Sequence, residues 1–397
     1  MSDSSFVPVS NRNRLTAGLC SSSFVYGFVV ALLGVVEKPL GDTLQLTTEQ
    51  TSNFALFINF PVLLMLFSTG ILLQKIGKKV MIAGGAFLIG MSLVVIGQTG
   101  SYAIACLAFA ILGFGGGGIN GAANTMIHDL YPENPSRALN LVNTFFGVGA
   151  IFLPFVGAAM LATLGLSGLT IIAMCLCMFP AIYLGLSKFP PPGISERFEF
   201  AAAKKALSSL LVVLFSAIMF FYIALEFSTG MWSNRFFQVA HGVESSVALY
   251  YVAGYWLMLF IGRLVSARLL NNVSGSKLLI FAAIGSCLGL AVQATASTAL
   301  LSVAGLWLTG LCFAPIFPTT LGVAGTQFKD TVGTVFGVTI GIGIIGSMVL
   351  PKLIGNTWDD ADPAKAIWFL FGFAVLLFVT QIFVHIKVSK APVEAEA

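Results

Sequence analysis

The sequence predicts an all-α membrane protein whose twelve transmembrane helices form two six-helix halves. Three observations carry that expectation. Of 397 residues, 57% are hydrophobic and only 9% charged, and the mean hydropathy is +0.95. A soluble domain carries about 25% charged residues, so a chain this apolar belongs in a bilayer. The apolar runs are also continuous over about 20 residues, the length a helix needs to cross the hydrocarbon core. Strands of an outer-membrane barrel would instead alternate polar and apolar residues over about ten positions. Finally, one polar, proline-containing stretch, KFPPPGISERFEFAAAKKA (188–206), falls at the midpoint of the apolar runs.

In chain order the expected spans are 15–36, 52–74, 80–98, 102–127, 138–161 and 165–187, then 207–236, 246–270, 277–296, 298–323, 333–355 and 364–387. The expected organisation is therefore an N-terminal half (1–187), a linker (188–206) and a C-terminal half (207–397). The opening residues MSDSSFVPVSNRNR are polar and no cleavage pattern follows them, so the first apolar run reads as a resident helix. An even number of spans leaves both termini on one side. Arg12, Arg14, Lys75, Lys78, Lys79, Arg137, Lys188, Arg197, Lys204, Lys205, Arg268, Lys277, Lys329, Lys387 and Lys390 fall on that side, against Lys38, Arg235, Lys352 and Lys365 on the other. The positive-inside rule then expects cytoplasmic termini. Asp359, Asp360 and Asp362 fall on the outer side.

Several function classes lack their residues. The basic side chains are scattered over short loops, which is not a nucleic-acid footprint. The six cysteines lie in apolar stretches without a CxxC or Cys/His ligand pattern, so they read as small buried hydrophobes and no metal is expected. GFGGGGING (113–121) resembles a phosphate-cradling loop in composition only. No Lys-Ser/Thr follows it, and its glycines are expected to let helices approach or bend. No nucleophile–base pair or cofactor motif is present, so neither an enzyme nor a cofactor is expected.

The stretch GILLQKIGKK (70–79) carries Gly70, Lys75, Gly77, Lys78 and Lys79 at the spacing of the loop signature of the major facilitator superfamily, with Gln74 where that signature has an acid. A weaker echo, GRLVSARLL with Gly262, Arg263 and Arg268, closes the eighth span, and Arg263 is read as part of a cytoplasmic gating motif. Three further stretches narrow the likeness: NGAANTMIHDLYPENPSRALNLVNTFFGVGA (120–150), YIALEFSTGMWSNRF with YYVAGYWLMLFIGRLVSARLL (222–236 and 250–270), and FAPIFPTTLGVAG (313–325). They resemble the fucose–galactose–hexuronate family of proton-coupled sugar symporters over nearly the whole chain. The resemblance implies a major facilitator fold and secondary active transport of a small hydrophilic solute, a sugar or sugar-like compound, by alternating access in a bacterial inner membrane. The implied partners are the solute, protons (with sodium as the other coupling ion) and the lipid bilayer, with the chain acting as a monomer. The alternatives left open are a uniporter or exporter of another small molecule, and a non-transporting membrane sensor.

Where that family has a coupling acid in helix 4, this sequence has Asn120, followed by Asn124 and Thr125. The helix-1 acid of the family is replaced by Gly34 or Val35, with Glu37 the nearest acid. The sugar-contacting glutamine of helix 5 aligns with Asn143, and the often polar helix-7 position is Glu226. Of the sixteen acids, Glu226 alone lies well within a span. A charged acid at a helix centre costs about 2.5–3.5 kcal/mol on insertion scales. No Lys or Arg lies within one helical turn of it, and a position expected in the outer half of the membrane makes it the candidate proton carrier. Its structural alternative is a hydrogen-bonded acid without a transport role. Asn120 and Asn143 are read as solute contacts, because amides both donate and accept and so suit hydroxyl-rich ligands. Asn124 and Asn140 are read as interhelical glue. Asn59 is the better cavity candidate of the two helix-2 asparagines, Asn53 being the other. Trp232 reads equally as a stacking surface for a sugar or an interfacial anchor, and Tyr255 shares a helical face with Tyr251.

Overall fold

The computed structural model describes residues 9–46, 48–190, 200–359 and 361–390. Most of the expected linker (191–199, with Arg197), Asp360 and the Glu37 side chain lie outside the described residues. In chain order the helices are α1 (Val9–Leu44), α2 (Thr48–Phe67), α3 (Thr69–Lys79), α4 (Gly85–Gln98), α5 (Tyr102–Leu130), α6 (Pro135–Leu186) and α7 (Phe200–Leu207). They continue with α8 (Leu210–His241), α9 (Ser245–Leu269), α10 (Gly275–Thr295), α11 (Ala299–Phe313), α12 (Ile316–Gln327), α13 (Val332–Thr357) and α14 (Ala364–Lys390). A single π-turn (Val80–Gly84) joins α3 to α4, and no strand occurs among the described residues.

Two glycines convert these elements into twelve crossings. In α3 the backbone leaves the helix at Gly77 (φ 78°, ψ 160°), and in α6 it does so at Gly165 (φ 66°, ψ −175°). That region of backbone space is close to glycine-only, at about 1–3 kcal/mol for other residues. Without the break, the 52 residues of α6 would run about 78 Å, more than twice the bilayer core. Gly165 thus separates the fifth and sixth crossings, and Gly77 the second and third. The tenth crossing comes as α11 and α12, broken at Ala314–Pro315 because proline has no N–H to continue the ladder. The expected seventh span began at 207. Instead α7 ends there, and α8 starts at Leu210 behind Ser209, whose hydroxyl accepts from the Leu211 N–H at 3.3 Å. Its far end is closed by Gly242 in the left-handed region (φ 64°), whose N–H returns to the Gln238 carbonyl. Glu226 therefore sits halfway along a 32-residue helix.

The chain resolves into two compact units. One comprises Met1–Pro132, Val142–Ala203 and Lys329–Gly337, and the other Glu133–Leu141, Lys204–Phe328 and Val338–Ala397. In lipid no hydrophobic force draws helices together, so small residues must let backbones interlock. The first unit does this at Gly85 and Gly115, where a Cβ built on either glycine would stand 2.7 or 2.6 Å from the other's carbonyl oxygen, joining α4 to α5. The second unit repeats the arrangement at Gly289 and Gly305, again at 2.7 and 2.6 Å, joining α10 to α11. Gly27 and Gly149 likewise seat α1 and α6 on each other's carbonyls in the first unit. In the second, Gly343 and Gly346 receive the α8 backbone at Met219 and Phe220. The glycine run singled out in the sequence uses several faces of α5: Gly113 and Gly117 meet α2, Gly115 meets α4, and Gly116 lies under the Tyr26 ring.

A Leu at Gly115 or Gly305 must push whole helices apart, because backbone atoms stand in the way on both sides. We expect each substitution to lower stability by about 1–3 kcal/mol or more, read as a fall in the unfolding midpoint of detergent-solubilised protein. Leu at Gly185, where nothing lies within 4 Å, is the control. Equal midpoints for all three variants would contradict the interlocking.

Candidate functional site

Each unit holds a polar cluster built on its interlocked helices. In the first unit the cluster is made of amides. Asn124 donates through Nδ2 to both the carbonyl (2.8 Å) and the side-chain oxygen (2.8 Å) of Asn120, one turn earlier on α5. Asn143 on α6 in turn donates to the Asn124 Oδ1 at 3.2 Å. Tyr26 on α1 faces the Asn120 side chain, and its ring packs tilted against Phe146 at 5.5 Å between centroids. Asn124 is buried, while Asn120, Asn143, Tyr26 and Phe146 are half-buried. Asn140, three residues before Asn143 on α6, bonds to different neighbours. Asn140 is fully buried and donates to the Ser136 carbonyl (2.8 Å) and the Thr319 hydroxyl (3.0 Å) in the second unit. Asn59 is half-buried on α2 and makes no hydrogen bond to the described residues. Asn53 opens instead on a groove of about 550 Å³ lined by Phe57, Phe60, Tyr102 and Phe114.

In the second unit the cluster is charged. The Glu226 carboxylate lies 3.5 Å from a guanidinium nitrogen of Arg263 on α9, and their side chains are 11% and 4% exposed. The lack of a cation within one helical turn of Glu226 on its own helix is thus made good by the next helix. The reading of Arg263 as part of a cytoplasmic gating motif needs the same correction. It lies six residues, about 9 Å, inside the end of α9, and Arg268 is the exposed cation in the last turn. The cause is the preceding residue. A Cβ on Gly262 would meet the Leu311 carbonyl oxygen at 2.5 Å, so its absence lets α9 press onto α11 and carries Arg263 into the interior. Tyr222, one turn before Glu226, faces both charges and packs edge-on against Phe313 at 5.9 Å. Tyr255 is fully buried, and its phenol donates to the Glu226 carbonyl at 3.1 Å. That bond holds the α8 backbone, so Tyr255 positions Glu226 where the sequence had suggested a solute contact. Trp232 is likewise engaged: it stacks on Trp358 at 5.1 Å and 18°, over Gly355, with Arg235 4.8 Å above the Trp358 ring.

Magnitudes decide what the charged cluster can do. Burying each charge costs about 2.5–3.5 kcal/mol. Their attraction at 3.5 Å returns about 5 kcal/mol at an effective dielectric of about 20. The separation exceeds the 2.7–2.9 Å of a tight charge-assisted hydrogen bond. Burying both charges and their mutual attraction are terms of similar size, so the pair contributes little net stability, while removing either partner would strand the other charge.

The loop signature forms a third group, in the first unit. Lys78 is 5% exposed and pairs with Asp129 at the end of α5 at 2.6 Å, and the His128 imidazole approaches the other Asp129 oxygen at 3.3 Å. His128 packs edge-on against Phe336 at 5.8 Å. Gly70 is buried against Thr334, whereas Lys75 is exposed and Lys79 half-buried. Asp129 supplies the acid that Gln74, exposed on α3, does not. In the second unit's loop between α13 and α14, Asp359 is held below the usual carboxylate range by its hydrogen bond from Lys365, at 2.8 Å.

Of these residues, sequence reasoning missed Tyr26, Phe146, Tyr222, Asp129 and the true place of Arg263. Arg263 had a signal: an arginine well inside an apolar run demands a partner. Tyr26 had none, since aromatic residues are common in every span.

The chain belongs to the Major Facilitator Superfamily, whose family description matches residues 19–351. It is 24% identical over 394 residues to an uncharacterised MFS-type transporter, YfkL, of Bacillus subtilis, covering 95% of this chain and 97% of that one. It is 23% identical over 400 residues to a putative glucose/galactose transporter of Helicobacter pylori, covering 94% and 97%. The fold is similar to that of FucP, the fucose:proton symporter of E. coli, in its outward conformation, with a TM-score of 0.83 at 20% identity over 94% of this chain and 99% of that one. The protein is thus a multi-pass membrane protein of a transporter family.

The loop geometry yields a test. Gly77→Ala must adopt a backbone conformation reserved for glycine, while nothing blocks its Cβ. We expect the turnover of transport to fall while equilibrium solute affinity in detergent stays at the wild-type value, and Lys78→Ala to behave alike. Affinity falling in parallel with turnover would contradict this.

Proposed function

We propose that the protein is a proton-coupled symporter of a sugar or sugar-like polyol, working by alternating access between two six-helix halves (1–187 and 207–397) joined by the linker 188–206. Glu226 is its proton site. Asn120 and Asn143 are its principal solute contacts, joined by Tyr26 and Phe146, and Asn59, Trp232 and Tyr255 belong to the lining and its support. One observation carries the reading: a carboxylate buried halfway along a membrane helix, 3.5 Å from the guanidinium of Arg263 on the next helix. Coupling needs a group whose protonation alters the affinity or mobility of the carrier. The amide chain from Asn120 to Asn143 supports a hydroxyl-bearing solute, since each amide offers donor and acceptor together. Stacking of an aromatic ring on a sugar C–H face is open to Phe146. The paired glycine contacts, one set in each compact unit, support the two halves as repeats. The similarity to proteins named for glucose, galactose and fucose supports the solute class. The Lys78–Asp129 pair, with Gly70, Lys75, Gly77 and Lys79, serves as the gating loop on the cytoplasmic side, to which both termini are assigned, and the protein works as a monomer in the bacterial inner membrane.

A second reading, facilitated diffusion of the same solute without ion coupling, is favoured by the amide at Asn120, where the resembling family has an acid.

The two readings separate in proteoliposomes given a panel of labelled sugars, with and without an acid exterior. Symport predicts accumulation above equilibrium when the outside is acid. Equilibration alone selects facilitated diffusion, and no flux of any sugar overturns both. Asn143→Ala removes one of the amide bonds to the solute, worth about 0.5–1.5 kcal/mol. We expect its Kd to rise by about threefold to tenfold, and an unchanged Kd would remove Asn143 from the site.

A further inference from the structure

We propose that Arg263 is the fixed counter-ion of the coupling carboxylate, so that the empty carrier crosses the membrane neutral at this site and charge moves with the protonated, loaded carrier. The inference rests on the symport reading above and adds the electrical sign of each half-cycle. Three observations carry it. Glu226 and Arg263 stand 3.5 Å apart. Both are buried, and the other buried charged side chain among the described residues is Lys78, which belongs to the loop and has Asp129. The helix bearing Arg263 is locked against α11 through Gly262, and the Glu226 backbone is tied to the same helix by Tyr255. The guanidinium therefore cannot leave the carboxylate by a small shift.

The groups facing Glu226 are few. From α9 they are Arg263 and Tyr255, and from α8 itself Tyr222. The other elements packed on α8 are α10, α11, α12, α13 and α14, and their described titratable residues, Lys277, Cys287, Cys312, Lys352, Lys365, His385 and Lys387, do not act on it. Two states follow. With Glu226 ionised, the pair sums to zero. When a proton from the outer water forms an O–H bond on the carboxylate, the ion pair is lost. Arg263 remains cationic, because guanidinium keeps its proton. Its N–H groups still find the carboxyl C=O and the Tyr222 oxygen as acceptors. The site now carries one positive charge, and an inside-negative potential drives that state inward. On the inner side the proton returns to water, the carboxylate pairs again, and the neutral carrier returns without electrical work. A carboxylate that released its proton with no counter-ion beside it would reverse the signs: the loaded carrier neutral, the empty one anionic.

Single variants read this directly. E226Q leaves Arg263 as a permanent cation. R263Q leaves a carboxylate buried without a counter-ion, which holds its proton, so the site is permanently neutral. The double variant E226Q/R263Q is neutral as well and strands no charge, which guards against misfolding. R263K keeps the positive charge. In proteoliposomes transporting whichever sugar the wild type accumulates, E226Q, R263Q and the double variant should all lose pH-driven accumulation and retain downhill uptake. Downhill uptake by E226Q should change when a potassium–valinomycin potential is imposed, while uptake by R263Q and the double variant should not. R263K should still accumulate the sugar, with a shifted pH profile. Wild-type accumulation without any imposed-pH dependence would sink the symport reading itself. Wild-type coupling alongside an R263Q variant that accumulates equally well would leave symport standing and overturn the counter-ion assignment. So would R263Q and E226Q losing downhill uptake together with both functions restored in the double variant, the signature of a structural pin.

Discussion

Backbone-to-backbone approach of helices is the constraint from which the rest of this molecule follows. Lipid tails are as apolar as leucine, so burying hydrocarbon cannot hold its helices together. Close packing must do so, and glycine is the residue that permits it. The same device appears at Gly85 with Gly115 in one unit and at Gly289 with Gly305 in the other, with matching distances. Because these seams leave little room, the side chains that do enter the interior are fixed by where the backbones pass. Gly262 is the clearest case: its missing Cβ seats α9 on α11 and thereby decides that Arg263 meets Glu226.

The polar interior follows the same economy of space. The amide chain from Asn120 through Asn124 to Asn143 is linked by its own hydrogen bonds while leaving two of its three amides, with Tyr26 and Phe146, only partly buried. The charged cluster is more closed and self-contained. One half of the chain thus carries neutral donors and acceptors suited to hydroxyl groups, and the other carries the group suited to a proton. In the proposed reading, dividing the two tasks lets the solute site stay uncharged, with Asn120 standing where the resembling family has an acid.

Much of the fold was legible in the sequence because hydropathy and loop charge act locally. The positions of the crossings, the glycine turn at Gly77 and the singular burial of Glu226 all follow from short windows of sequence. Discontinuities were less legible. The two serines at 208–209 are too short a polar break to separate α7 from α8 by hydropathy, so the expected seventh span began at 207. Partnerships between distant residues were least legible. Arg263 looked like the close of a loop motif because GRLVSARLL echoes GILLQKIGKK, yet its neighbour in space is 37 positions away on another helix. Tyr255 was read by its helical face, which its phenol then used for the Glu226 carbonyl. Trp232 was read equally as a sugar-stacking surface or an interfacial anchor, and its face is covered by Trp358.

The central claim is that solute and proton cross together through Glu226. Its most direct test is an external pH electrode in a lightly buffered suspension of proteoliposomes, with the transported sugar added under no imposed gradient. The account predicts alkalinisation of the medium on sugar addition for the wild-type protein, abolished by a protonophore, and none for Glu226→Gln although labelled sugar still enters. Sugar entry into wild-type vesicles without alkalinisation, or an equal signal from the variant, would contradict it.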